Sequence, residues 1–149
     1  MRIALYQPDQ AGNVGTILRL CARLDTPVDI IEPCGFPYSD RALKRAGMDY
    51  AAIANVTRHA GWESFAEQAE GRLVLLTTRG GIRLPEAEFR AEDILLLGSE
   101  STGVPAEVHD RAALRVRIPQ AAGTRSLNIA IAAGIALAEG LRQTHRWPK

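Results

Sequence analysis

Cysteine is scarce in this chain: Cys21 and Cys34 are the only two among 149 residues. Two thiols cannot build the disulfide framework of a small secreted domain, and their spacing fits no metal site. The histidines, His59, His109 and His145, are equally scattered, with no His-x-x-x-His pair and no neighbouring cysteine, so no metal is expected. No apolar run approaches the ~20 residues needed to cross a bilayer, and the opening "MRIALYQPDQ" has too short an apolar stretch for a signal peptide. Bulk charge is missing too. The formal net charge is +1, so any contact with a polyanion must come from a local patch. These absences predict a soluble protein of the reducing cytoplasm with no membrane partner. No internal repeat, low-complexity tract or linker-like stretch divides the chain, so residues 1–149 read as one domain.

Several catalytic signatures are also absent. No Gly-x-Gly-x-x-Gly follows the first apolar stretch, and no Gly-Lys-Ser/Thr ending completes a phosphate loop. In "LLLGSESTGVP" neither Ser99 nor Ser101 has a glycine two residues to each side, so the nucleophile elbow of a hydrolase fails. Glu100 has no second carboxylate at a fixed spacing, which argues against a paired-carboxylate hydrolase. A Rossmann-type oxidoreductase is therefore a distant alternative.

What is present is alternation. "RIALYQ" (2–7), "VDIIE" (28–32), "RLVLLTT" (72–78), "DILLLGS" (93–99) and "LRVRIP" (114–119) read as strands, several apolar enough to be buried on both faces, as in a parallel sheet. Helical segments are predicted over 14–24, 39–46, 62–69, shortly after Pro105, and over 127–143. The class is α/β, a mainly parallel sheet flanked by helices, and its ligands are expected at the carboxyl ends of the strands. The loops there are rich in Gly, Ser, Asn and Arg. Asn13 opens a helix and suits an N-cap; Arg19 sits among apolar neighbours, either snorkelling or functional. Arg79-Gly80-Gly81 is a turn or a place of close backbone approach. Ser126 and Asn128, beside Arg125, stand where the last helix begins and can cap it.

Three blocks in order, "NVGTILR", "LLLGSESTGVP" and "VRIPQAAGTRSLNIAIAAGIAL", resemble the three motifs of the SpoU branch of the SPOUT RNA methyltransferases. The segment "IIEPCGFPYSDRALKRAGMDY" followed by "VTRH" is similar to the minimal members that methylate the wobble ribose, the tRNA (cytidine/uridine-34)-2′-O-methyltransferases. The resemblance implies a C-terminal trefoil knot, S-adenosyl-L-methionine as cofactor, the anticodon stem-loop of tRNA as substrate, and a homodimer with its active site at or near the interface. It implies cofactor contacts at Leu76, Gly98, Ile118 and Ser126, largely through main chain, with Gly98 where a side chain would enter the pocket. It assigns Arg19, Asn13, Ser126 and Asn128 to the catalytic site, Arg19 as the catalytic arginine and Asn13 orienting it or the ribose. Glu100 is left between a structural and a direct role. Family members often carry a second polar pair one turn after the Asn; here those places are Ala130 and Ile131. Arg41, Lys44 and Arg45, and Arg142, Arg146 and Lys149, form two cationic groups that either meet RNA or are solvated helix faces. A SPOUT enzyme acting on another RNA position and a non-catalytic RNA-binding module are the alternatives.

Overall fold

Apolar runs buried on both faces become the centre of a parallel sheet, because each strand must then be covered above and below. The computed structural model describes residues 1–39, 41–42 and 55–149. Among these, seven strands form one sheet: β1 (Arg2–Tyr6), β2 (Val28–Ile31), β3 (Val56–His59), β4 (Leu73–Leu76), β5 (Ile82–Arg83), β6 (Ile94–Leu97) and β7 (Leu114–Arg117). Their order is β3-β2-β1-β6-β4-β7-β5, and every pairing is parallel. The helices are α1 (Ala11–Arg23), α2 (Trp62–Gln68), α3 (Ala106–Arg111) and α4 (Ile129–Gln143).

Alternation along the strands divides the core into two. Ile3, Leu5, Leu95, Leu97, Val74 and Val116 pack under α1 and α4, which contribute Val14, Ile17, Leu18, Ala133, Ala136 and Leu137. Ala4, Ile31, Leu75, Ile94 and Leu96 face the other way, against Trp62 and Phe65 of α2 and Val108 of α3. All five predicted strands exist, each ending one to two residues early. Two strands had no sequence signal, for a common reason. β3 lies at one edge with Thr57 and Arg58 exposed, and β5 lies at the other edge and is two residues long, so neither shows an apolar run. The predicted helix over 39–46 falls mostly outside the described residues, as do Lys44 and Arg45.

Two carboxylates are buried in this frame, each matched by cations. Asp93 is fully buried; its two oxygens take Nε and Nη2 of Arg72, both at 2.8 Å, and Oδ2 also accepts the Arg90 backbone N–H. Asp29 meets Arg2 at 2.6 Å and His59 Nε2 at 2.8 Å, tying β1, β2 and β3 together side by side.

Candidate active site

The carboxyl ends of β1, β4, β6 and β7 converge on one cavity of about 720 Å³. Its walls include Asn13, Leu76, Gly98, Glu100, Ile118, Ser126 and Asn128, so six of the seven residues assigned from the motifs meet here, together with Glu100. The volume lies in the range of sites that enclose drug-sized ligands. Leu76, Leu97, Val116 and Ile118 supply an apolar wall, while Thr77, Thr102 and Gln120 add hydrogen-bonding groups. That mixture could hold a nucleoside-sized molecule between strand ends.

The polar rim is built by a chain of hydrogen bonds whose direction follows from one group. An ionised glutamate can only accept. Glu100 takes the Asp9 backbone N–H on Oε2 at 2.9 Å and the Asn13 amide Nδ2 on Oε1 at 3.1 Å. The Asn13 amide is thereby oriented with Oδ1 outward, where it accepts Nδ2 of Asn128 at 3.0 Å. Asn128 is left with Oδ1 for the first turn of α4, accepting the Ala130 N–H at 2.8 Å. Asn128 therefore caps α4, and Ala130 contributes its backbone N–H. Ser126 lines the cavity beside it.

The expected N-cap role of Asn13 is corrected. α1 begins three residues earlier, at Ala11, with Gln10 in the cap position and no side-chain cap, so the Asn13 amide is used for Glu100 and Asn128 instead. Glu100 acts here as the hub of the rim. Asp9 had no sequence signal: its Oδ2 accepts the Ser101 N–H and the Ser99 hydroxyl, both at 2.9 Å, joining the loop after β1 to the loop after β6. Hydrogen bonds from Ser101, then Ser99, hold its carboxyl below the ordinary aspartate range.

The glycines carry a different burden from the one expected. Ser99 and Gly103 exchange both backbone hydrogen bonds, at 3.0 and 2.8 Å, closing a tight loop over Gly98. A Cβ on Gly98 would lie 2.7 Å from the Gly103 carbonyl carbon, so a side chain there meets backbone before it meets any ligand. Gly98→Ala should therefore destabilise the fold by about 1–3 kcal/mol, the scale of overpacking. Thermal melting of the ligand-free protein checks this; an unchanged melting temperature would return Gly98 to a pocket role alone. Gly80 is alike: its Cβ would fall 2.6 Å from the Val116 carbonyl carbon, so the turn after β4 is pressed onto β7.

Arg19 is not in the cavity. It is exposed on α1, six residues beyond Asn13, and at 3.6 residues per turn that places it about 240° further round the helix. The face of α1 that meets α4 includes Leu20, which lies 3.6 Å from where a Cβ on Gly134 would stand. α4 exposes Ile131 (55%) and Ile135 (39%), one turn apart. Of the second cationic group, Arg142 is paired with Glu139 on its own helix at 2.9 Å, which answers its charge locally. Among the described residues no helix is long and apolar enough to cross a membrane, and no cluster of three metal-binding side chains occurs.

The model of the SpoU rRNA Methylase family matches residues 1–138. The chain belongs to this family. A protein from Ancylobacter novellus named tRNA (cytidine(34)-2'-O)-methyltransferase is 48% identical over 147 residues, covering 97% of this chain and 93% of that one. A solved structure giving insights into the 2-OH methylation of C/U34 on tRNA superimposes with a TM-score of 0.88 at 40% identity, over 95% of this chain and 94% of the other. The AdoMet-bound rRNA methyltransferase of Sinorhizobium meliloti superimposes with a TM-score of 0.83 at 30% identity, over 95% of this chain and 55% of that longer SpoU-like chain.

Proposed function

We infer that this protein transfers a methyl group from S-adenosylmethionine to the ribose 2′-hydroxyl of the wobble nucleotide, position 34, in the anticodon stem-loop of tRNA. The observation that carries the reading is the Asn128–Asn13–Glu100 ladder closing one side of a nucleoside-sized cavity. The names of the relatives at 48% and 40% identity supply the substrate class.

Leu76, Gly98, Ile118 and Ser126 would hold the cofactor, and the cavity fits it: apolar strand ends for a flat purine, main-chain groups at Gly98 and in the loop around Ile118 for its edges. When bound, S-adenosylmethionine would supply an electrophilic sulfonium methyl for in-line transfer to an oxygen nucleophile, its sulfur leaving as a neutral thioether. The chain's work is alignment, since effective concentration is what such a reaction lacks in water. Asn13 and Asn128, locked by Glu100, form a rigid amide pair at the cavity edge that can orient a ribose hydroxyl. A guanidinium stabilises growing negative charge rather than removing a proton, so Arg19 serves the developing alkoxide or the adjacent phosphate, and the proton passes to phosphate or water.

Because Arg19 lies outside its own chain's cavity, the reading includes a homodimer in which Arg19 serves the partner's site. Exposed Ile131 and Ile135 on α4 are the apolar surface such a contact would cover. It also includes a single SPOUT domain over residues 1–149 whose C-terminal segment forms a trefoil knot. The chain leaves β7 near one edge and returns to α4, which packs on α1 near the opposite half of the sheet. A cytoplasmic site of action accords with Cys21 and Cys34 being free thiols.

Incubation with methyl-labelled S-adenosylmethionine and unmodified tRNA, followed by nucleotide mapping, should give a 2′-O-methyl group at cytidine or uridine 34. Label at another tRNA position or only in ribosomal RNA would reassign the substrate. Binding of tRNA and cofactor without transfer would make the chain a binding module.

A further inference from the structure

The rim of the cavity is electrostatically two-sided. On the β1–β6 side stand the carboxylates Asp9 and Glu100, each accepting the two hydrogen bonds described above. The β4–β7–β5 side carries arginines. Arg79 lines the cavity in the turn after β4; Gly80, its neighbour, is pressed against β7 so closely that its Cβ would lie 2.7 Å from the Arg117 nitrogen. Arg83 stands beside Arg117 in register between β5 and β7. All three are exposed. Only Arg83 has a carboxylate, Glu86 at 2.9 Å; among the described residues Arg79 and Arg117 have no ion-pair partner.

Like charges directly opposite on neighbouring strands are unfavourable. Here a third cation is brought to the same place by a glycine that tolerates no side chain. A protein with a net charge of +1 has no general excess of cations to spread over its surface, so this concentration is local. It is also continuous with the cavity, since one of its members is a wall residue. The ligand chemistry that relieves it is a chain of singly charged anions running from the cavity along the sheet edge.

We propose that Arg79, Arg117 and Arg83 at the β7–β5 edge form the track for the sugar-phosphate backbone of the RNA substrate, with Arg79 holding a phosphate that flanks the target ribose. This rests on the methyltransferase reading and adds to it the direction in which the RNA leaves the site. The planar guanidinium suits phosphate, donating two parallel N–H bonds to neighbouring oxygens. Backbone contacts of this kind fix register without reading sequence, as befits an edge distant from the base itself.

The test is the salt dependence of tRNA binding, by fluorescence anisotropy, for the full-length protein. Arg79→Gln and Arg117→Gln should each weaken binding and lower the slope of log Kd against log salt by about 0.7–0.9, one phosphate's worth of released counterions. Arg117→Lys should keep the slope. Arg90→Gln, an equal charge change before β6 at the opposite end of the strands, should leave it as in wild type. Cofactor affinity, measured by calorimetry, should not move in any of them. An unchanged slope in both glutamine variants overturns the proposal, as does a loss of cofactor affinity in Arg79→Gln with tRNA affinity intact, which would give Arg79 to the cofactor's carboxylate. If wild type neither binds nor methylates tRNA, the methyltransferase reading itself fails; if wild type does both and the variants match it, only the edge assignment falls.

Discussion

Arg19→Ala should lower single-turnover methyl transfer by a factor of about 10² or more while leaving cofactor affinity nearly unchanged. That is the size of loss typical when one preorganised group facing transition-state charge is removed. Single-turnover measurement at saturating tRNA and cofactor isolates transfer from binding and release. Arg19→Lys should recover only part, because lysine keeps the charge and loses the planar fork. The structure sharpens the expectation. Arg19 and Asn13 diverge round α1, and in the proposed two-fold dimer Arg19 of one protomer acts with Asn13 of the other. Mixing Arg19→Ala subunits with Asn13→Ala subunits should therefore restore activity, to about a quarter of wild-type sites if subunits exchange freely, because half the dimers are mixed and each has one intact site. No recovery in a mixture shown to have exchanged would place both residues' roles within one chain. A normal rate for Arg19→Ala would leave it as a surface arginine. Sedimentation of a fully active monomer would remove the dimer altogether.

Asp93→Ala should cost about 3–5 kcal/mol of stability, the penalty for leaving a partly buried cation without its counter-charge. Asp93 is 0% exposed and lies just before β6, where both its oxygens hold Arg72 and one also holds the Arg90 backbone N–H. Removal strands the Arg72 guanidinium, whose side chain is only 18% exposed, and an N–H at the amino end of a central strand. Urea denaturation should show a lower midpoint at an unchanged slope, since the area exposed on unfolding is the same. A loss under about 1 kcal/mol would mean that water reaches Arg72 and that the pair behaves as a surface ion pair. Replacing both residues with apolar ones of similar volume should recover much of the loss, because the desolvation cost disappears with the charges.

The site shows how far chemistry can be read from residue types. Asn128 was legible as a cap because an Asn ahead of an alanine-rich helix has few other uses in local structure. Asn13 was open to the same reading and does something else: its partners are 87 and 115 residues away in the chain, at Glu100 and Asn128. Gly98 was assigned to the right loop for an incomplete reason, since no sequence pattern tells that Gly103 folds back onto it. Asp9 carried no signal and Arg79 only that of the glycine pair after it, both standing in ordinary loops until β6 and β7 were placed beside them.

By itself the sequence determined that this is an α/β protein with a parallel sheet, that its ligands meet the carboxyl ends of the strands, and which polar residues crowd there. Those properties follow from burial recorded residue by residue: apolar runs for strands covered on both faces, a 3.6-residue period for helices, and small polar residues where the chain turns. Only the tertiary structure decided the strand order β3-β2-β1-β6-β4-β7-β5, the edge strands β3 and β5, the ladder from Asn128 through Asn13 to Glu100, and the exclusion of Arg19 from its own cavity. Each of these is a choice of neighbour across the chain, and periodicity records how deeply a residue is buried without recording which residue it will lie against.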